Sequence, residues 1–327
     1  MKPGGTSAPS SLLLIKPGSL GDVVHALPCA AAIRAAWPHV RLTWLVDDRW
    51  ASLLEENPCV SDTVVFQRQK FRGAIGWLKA VPWMLDLKKI QPFIALDLQG
   101  LMRSALMAKL SGAERIHGLS DAREGSRNFY TSTTRIDANA HAVTRYLAAL
   151  PSMGIPIPDD PEFPLPSGTR PTAMPETGPY ILLHPFARGS GKSLTSALVI
   201  EFAKTLGPHT VVVAGQGKLE GEIPSNVINL LNLTTLREFI WLAANASYVV
   251  SVDSGPMHIA AALTSKLLSI HTWSDPRKVG PYNEDAWIWR GGEIYRQDLG
   301  RRMIGPQKVP DAGEVASIAK WVAERIN

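Results

Sequence analysis

Residues 249–263 read VVSVDSGPMHIAAAL. A β-branched run ends in Asp-Ser-Gly, and a proline then opens an apolar stretch rich in alanine. The run predicts a strand, Asp253-Ser254-Gly255 a tight strand-to-helix turn, and Pro256 the first helical position. A chain that repeats this unit builds a parallel sheet wound with helices.

The unit does repeat. Apolar runs at 11–15, 42–46, 63–66 and 93–98 predict strands in the first half, and those at 180–184, 210–214, 248–252 and 267–271 predict strands in the second. Helical patterns such as DVVHALPCAAAIRAA, LREFIWLAANA and PMHIAAAL separate most of them. Between Pro151 and Pro179 the alternation stops, and nine prolines make that window an extended connector. The expected fold is therefore α/β, with two Rossmann-like doubly wound domains whose loops face a cleft. The boundaries are 1–165 and 166–310, followed by a helix over 311–327 that Asp311 caps and that can pack back on the N-terminal domain.

At 327 residues the chain has room for two cores. Two cysteines at this spacing suit neither a disulfide framework nor a zinc site, which points to a reducing cytoplasm. No apolar run is long enough to span a bilayer, and LLLI near the start is too short for a signal core. The chain is thus expected to be soluble or peripheral. A net charge of +5 favours anionic partners, yet no basic stripe interleaves with aromatics as a nucleic-acid module requires.

Two glycine loops need separate treatment. HPFARGSGKS at 184–193 follows a strand and ends like an ATPase phosphate cradle, but the cradle's first glycine is replaced by Phe186. GQGKLEG at 215–221 resembles a dinucleotide fingerprint whose third glycine comes one place late, so a plain turn is the better reading.

Stronger chemistry lies in IKPGSLGDVVHALP, residues 15–28. Lys16 leaves a strand, Gly18 and Gly21 relax the backbone, and Asp22 opens a helix. Asp22 is either a routine cap or a carboxylate held at a cleft mouth as a general base, with Lys16 beside it for an anion. In the second stretch, the helix beginning near Ser254 offers amides and a dipole end to a diphosphate, and His258 falls in its first turn.

Together with DLQGLMRSA at 97–105, HGLSDARE at 117–124 and AHAVTR at 140–145, these stretches resemble the ADP-heptose:lipopolysaccharide heptosyltransferases, glycosyltransferase family 9. The likeness runs from about residue 12 to 285 and is nearest the heptosyltransferase I branch. It implies the GT-B fold, an N-terminal acceptor domain and a C-terminal ADP-sugar domain. The implied reaction is inverting, metal-independent transfer of heptose from ADP-heptose to a Kdo sugar on lipid A. No cofactor and no obligate protein partner are implied, and the setting is the cytoplasmic face of the inner membrane.

By the same resemblance Asp22 is the catalytic base. Arg188, Lys192, Ser193, Asp253, Ser254, Gly255 and His258 form the donor site. Lys16, Ser19, Gly21, Arg68, Lys70, Arg72 and Arg123 serve the acceptor. The family's usual Lys-x-Trp-Pro is Lys192-Ser193-Leu194-Thr195 here, and Phe186 and Ala187 stand where small hydroxyl residues are expected; Arg188, Ser190 and Ser193 are the substitutes at hand. Three alternatives stay open: a sister transferase with another acceptor, a P-loop-type NTPase, and a non-catalytic sugar-nucleotide-binding module.

Overall fold

The computed structural model describes residues 8–71, 73–176, 178–189, 191–300 and 303–326. Arg72 and Ser190 lie outside them. The chain divides into two compact units, Met1–Pro166 and Ser167–Asn327.

In the first unit β1 (Ser11–Ile15), α1 (Leu20–Ala36), β2 (Arg41–Asp47), β3 (Asp62–Phe66), α2 (Gly73–Lys88), β4 (Ile94–Asp97), α3 (Met102–Leu110), β5 (Arg115–Leu119), β6 (Ser132–Thr134) and α4 (Ala142–Leu147) follow in order. The six strands pair in the order β3-β2-β1-β4-β5-β6, all parallel. Leu12 to Ile15 are fully buried, as a central parallel strand covered on both faces requires. One face carries Leu13, Ile15, Leu45, Ala95 and Ile116 against Leu87 of α2 and Met107 and Ala108 of α3. Each such Leu or Ile contributes about 1.5–3 kcal/mol by leaving water. α1 is apolar nearly all round and correspondingly buried, and it runs through Pro28 and packs against α4.

The second unit holds β7 (Tyr180–His184), α5 (Ser196–Leu206), β8 (Thr210–Gly215), β9 (Val227–Leu231), α6 (Leu236–Asn245), β10 (Tyr248–Val252), α7 (Gly255–Leu263), β11 (Leu267–Ile270), α8 (Pro276–Val279), β12 (Trp287–Arg290), β13 (Glu293–Arg296) and α9 (Ala312–Ala323). Its seven strands run β13-β12-β11-β10-β7-β8-β9, and only β13 is antiparallel to its neighbour. Without β13, both sheets have the Rossmann order. In each, the first and fourth strands of the unit lie side by side, and the connections leave them in opposite directions.

Asp311 caps α9, accepting from the Glu314 amide at 2.9 Å. Val315, Ile318, Ala319 and Val322 of that helix are buried in the second unit's core, where α9 packs on α5. The apolar stripe of this helix is thus spent on the core of its own unit. No helix or strand occurs among the described residues of 154–179. The connector is nonetheless tied down on both sides, since Asn57 donates to the Pro164 carbonyl at 2.7 Å and the Arg237 guanidinium to the Ser167 carbonyl at 3.1 Å.

Candidate functional site

In a doubly wound sheet, ligands gather where two adjacent strands send their connections apart. In the first unit that point lies between β1 and β4. Lys16 follows β1 directly and is buried, its ammonium donating to the Leu98 carbonyl at 2.9 Å and standing 3.8 Å from Asp22 Oδ1. The helix that follows starts at Leu20, so Ser19 is its N-cap and Asp22 its third residue rather than the cap. Asp22 Oδ2 accepts from both the Ser19 amide and the Ser19 hydroxyl, each at 2.8 Å.

The other oxygen, Oδ1, accepts from the Tyr146 hydroxyl at 3.0 Å. Lys16 also lies over the Tyr146 ring, 4.5 Å from its centre. Burial alone would raise the Asp22 pKa, but the Lys16 charge and the bonds from Ser19 and Tyr146 outweigh it and hold this carboxyl below its usual range. Burial in turn lowers the Lys16 pKa, partly offset by Asp22 and Asp97. The result is an ionised carboxylate, about a third exposed, fixed from three sides.

Across the switch point, Asp97 at the end of β4 is fully buried. It accepts from Tyr130 at 2.7 Å, Ser104 at 2.8 Å and the amides of Gln99 and Gly100. Burial raises its pKa, and its role is to brace the loop 98–101. Arg123 joins the same loop through its backbone amide, which donates to the Gly100 carbonyl at 2.8 Å. Its side chain is exposed, with no hydrogen bond or ion pair among the described residues. Gly21 is buried in the first turn of α1. Arg68 and Lys70 stand exposed on the loop after β3, and Lys70 donates to Gln67 at 3.1 Å. Among the described residues no bond joins this pair to the Asp22 group, and Arg72 lies outside them.

The second unit has its switch point between β7 and β10, and the expected donor residues fall there. Lys192 donates to Asp253 Oδ2 at 3.1 Å, and its ammonium stands 5.3 Å from the centre of the Trp273 ring. Asp253 follows β10 and is nearly buried; burial would raise its pKa, but His271, His258, a bond from Ser274 and Lys192 bring it below the ordinary value. α7 begins at Gly255, one residue ahead of Pro256, and its N-cap Ser254 makes no side-chain hydrogen bond to the helix amides. The Ser254 hydroxyl instead meets His184 Nδ1 at 3.2 Å. A helix N-terminus whose amides its cap side chain does not bond, beside a lysine, is a suitable seat for an anionic group. His258 is buried in the first turn of that helix. His271 pairs with Ser274 at 2.9 Å, and its Nε2 has no partner among the described residues.

The loop 185–194 is not an ATPase cradle. A Cβ on Gly217 would lie 2.3 Å from a Phe186 ring carbon, so the side chain standing in for the missing glycine packs directly against Gly217. Gly215 likewise makes room for His184, so close packing accounts for the first two glycines of GQGKLEG. Ser193 accepts from the Ala187 amide at 2.9 Å and donates back to its carbonyl, so its hydroxyl closes the loop. Arg188 is exposed at the loop's tip. Thr272 donates to the Gly191 carbonyl at 2.7 Å and ties this loop to the one carrying Trp273. Tyr146, Trp273 and His271 carry no motif, and the sequence reading missed them. Among the described residues no group of three or more His, Cys, Asp or Glu side chains is placed to hold a metal ion.

Two Rossmann-ordered sheets, each with charged residues at its switch point, define an α/β protein of the GT-B fold. The profile of glycosyltransferase family 9 (heptosyltransferase) matches residues 86–303, well over half of the chain, and the chain belongs to that family. It is accordingly a glycosyltransferase. The lipopolysaccharide core heptosyltransferase OpsX of Haemophilus influenzae is 24% identical over 296 residues, covering 85% of this chain and 83% of the relative. Lipopolysaccharide heptosyltransferase 1 of Pseudomonas aeruginosa is 27% identical over 290 residues, covering 83% and 81%. Among solved structures, E. coli heptosyltransferase WaaC with ADP superposes with a TM-score of 0.75 at 20% identity, covering 97% of this chain and all of the other. That last likeness speaks for the fold.

Proposed function

We propose that this protein transfers a heptose from ADP-heptose to a Kdo sugar of the lipopolysaccharide inner core, with Asp22 as general base. The observation that carries the reading is the Asp22 carboxylate: ionised, partly exposed, and oriented by Ser19, Tyr146 and Lys16 at the first unit's switch point. A base must take the acceptor hydroxyl proton as the sugar bond forms, and a positioned carboxylate typically contributes about 10²–10⁴-fold to such a step. Lys16 keeps it ionised and offers charge to an anionic acceptor.

The second unit supplies the donor's needs in this account. Lys192 and the N-terminal amides of α7 meet the charge that develops on the departing ADP, and preorganised donors of this kind contribute about 3–4 kcal/mol each in a dry site. Asp253 holds Lys192 in place, and His258 in the first turn borders the same seat. Arg188 stands ready at the loop's tip, whereas Ser193 acts through the loop's shape. Arg123, Arg68 and Lys70 are assigned to the carboxylates and phosphates of the acceptor. The names of the relatives support the lipopolysaccharide substrate, and the ADP held by the E. coli structure supports the nucleotide.

A second acceptor also has an observation behind it. Lipooligosaccharide heptosyltransferase 2 of Haemophilus influenzae is 38% identical over an 89-residue stretch, 27% of this chain. One assay tests both readings: ADP release from ADP-heptose with Kdo-lipid A, and with the same acceptor already carrying one heptose. Turnover on the first alone supports the proposal, and turnover on the second alone favours the sister activity. Silence with ADP-heptose but turnover with UDP- or GDP-sugars overturns the donor assignment.

A further inference from the structure

α2 is apolar on two opposite faces. Gly76, Ala80 and Leu87 are buried on one side, where Leu87 joins the core of the sheet, and Trp83 beside them donates to the Val65 carbonyl at 2.9 Å. On the other side Leu78, Val81, Pro82 and Leu85 follow the i, i+3, i+4, i+7 spacing of one helical stripe, and they face water. Leu78 is 74% exposed, Leu85 60% and Val81 45%. The neighbouring α3 adds exposed Leu106 and Leu110. A helix with a second, solvent-facing apolar stripe is not explained by the core of its own unit, and patches of this kind mark interaction surfaces.

Charge selects the partner. By the helical period, Lys79 and Lys88 flank the stripe on its two sides, and both are exposed. Lys89 follows, paired with Asp86, the sole acidic residue of the segment 67–89. The exposed Arg68 and Lys70 precede the helix. An apolar stripe rimmed by cations suits neither a neutral protein groove nor nucleic acid; it suits an anionic bilayer, with leucines among the acyl chains and ammonium groups at the phosphates. No described helix is long and apolar enough to cross a membrane, so contact would be from one side.

We propose that the outer face of α2 docks this protein on an anionic lipid surface, flat against the headgroup layer. The idea rests on the reading of the acceptor as lipid-borne, and it is tested apart from catalysis. Full-length protein is sedimented with phosphatidylcholine vesicles with and without phosphatidylglycerol. Binding is expected only with phosphatidylglycerol and is expected to fall as salt rises. Leu78→Glu/Leu85→Glu should weaken it by about tenfold or more, and Lys79→Glu/Lys88→Glu should act similarly while leaving the leucines in place. Both pairs are exposed, and unchanged thermal melting checks that the variants fold. ADP release with a soluble, lipid-free Kdo acceptor should be unaffected by either pair, whereas transfer to vesicle-borne acceptor should drop. Two results overturn the proposal: no vesicle binding by the wild type, or light scattering showing a dimer that Leu78→Glu/Leu85→Glu dissociates, which would make the stripe a contact between two copies. Loss of all turnover with binding intact would count against the transferase reading instead.

Discussion

Tyr146 donates its hydroxyl to Asp22 Oδ1 at 3.0 Å across 124 residues of sequence, with Lys16 over its ring. The phenol is buried, and burial together with the Asp22 charge raises its pKa well above the ordinary value, so it remains a donor. A hydrogen bond to the ionised form lowers a carboxyl's pKa. Tyr146→Phe should therefore raise the Asp22 pKa and move the acid limb of the kcat/KM profile upward. It should also cut kcat by about tenfold through lost orientation, with ADP affinity unchanged. A pH–rate profile of the variant beside the wild type checks this, and an unmoved acid limb would deny Tyr146 its part.

The Lys192–Asp253 pair makes a separate prediction. If Lys192 turns from Asp253 to the diphosphate, Lys192→Ala should weaken ADP binding by about 10–100-fold, the usual worth of a charge-assisted hydrogen bond. Because Lys192 stands 5.3 Å from the Trp273 ring centre, ADP titration should also change the tryptophan emission of the wild type, and Trp273→Phe should remove that change. Calorimetry and fluorescence on the same preparations measure both.

Two buried histidines set an acid limit on stability. Burial lowers His184 and His271 to about 4, so both are neutral in the folded protein across most of the acidic range. The unfolded chain takes up these protons near the ordinary value of about 6.5, so folding stability falls as pH drops from there toward 4. At pH 5 the loss should be on the order of 2 kcal/mol per histidine. Urea unfolding at neutral pH and near pH 5 measures it, and His184→Gln should flatten the dependence.

The sequence was most legible where its signals are local. SLLLI, YILLH and YVVSV announce their strands through apolar or β-branched side chains, and all three begin and end where expected. β6 is only STT, at the sheet's edge and largely exposed, with no apolar run to betray it. β5 contains Gly118, where a Cβ would lie 2.2 Å from the Tyr130 ring; that glycine reads as a loop residue until the ring is in place. Lys16 and Asp253 directly follow strands, Asp22 lies in the first turn of the helix after Lys16, and Lys192 lies in the loop between β7 and α5, so their neighbourhood could be read from spacing. Even there the register slipped: Ser19 takes the cap, and Asp22 sits at the third position with its carboxylate folded back on it. Tyr146 reaches Asp22 only because α4 packs on α1, a tertiary contact that no local pattern encodes.

The central claim is that Asp22 takes the acceptor proton while the second unit holds the donor. Asp22→Asn keeps the side chain's shape and one oxygen to accept from Ser19, and removes the second acceptor, which meets Tyr146, together with the charge and the basicity. The decisive measurement is heptose transfer by this variant, read as ADP release, alongside its affinity for ADP. The account predicts kcat lower by about 10²–10⁴-fold with ADP binding unchanged. Transfer within a few-fold of the wild type would contradict it.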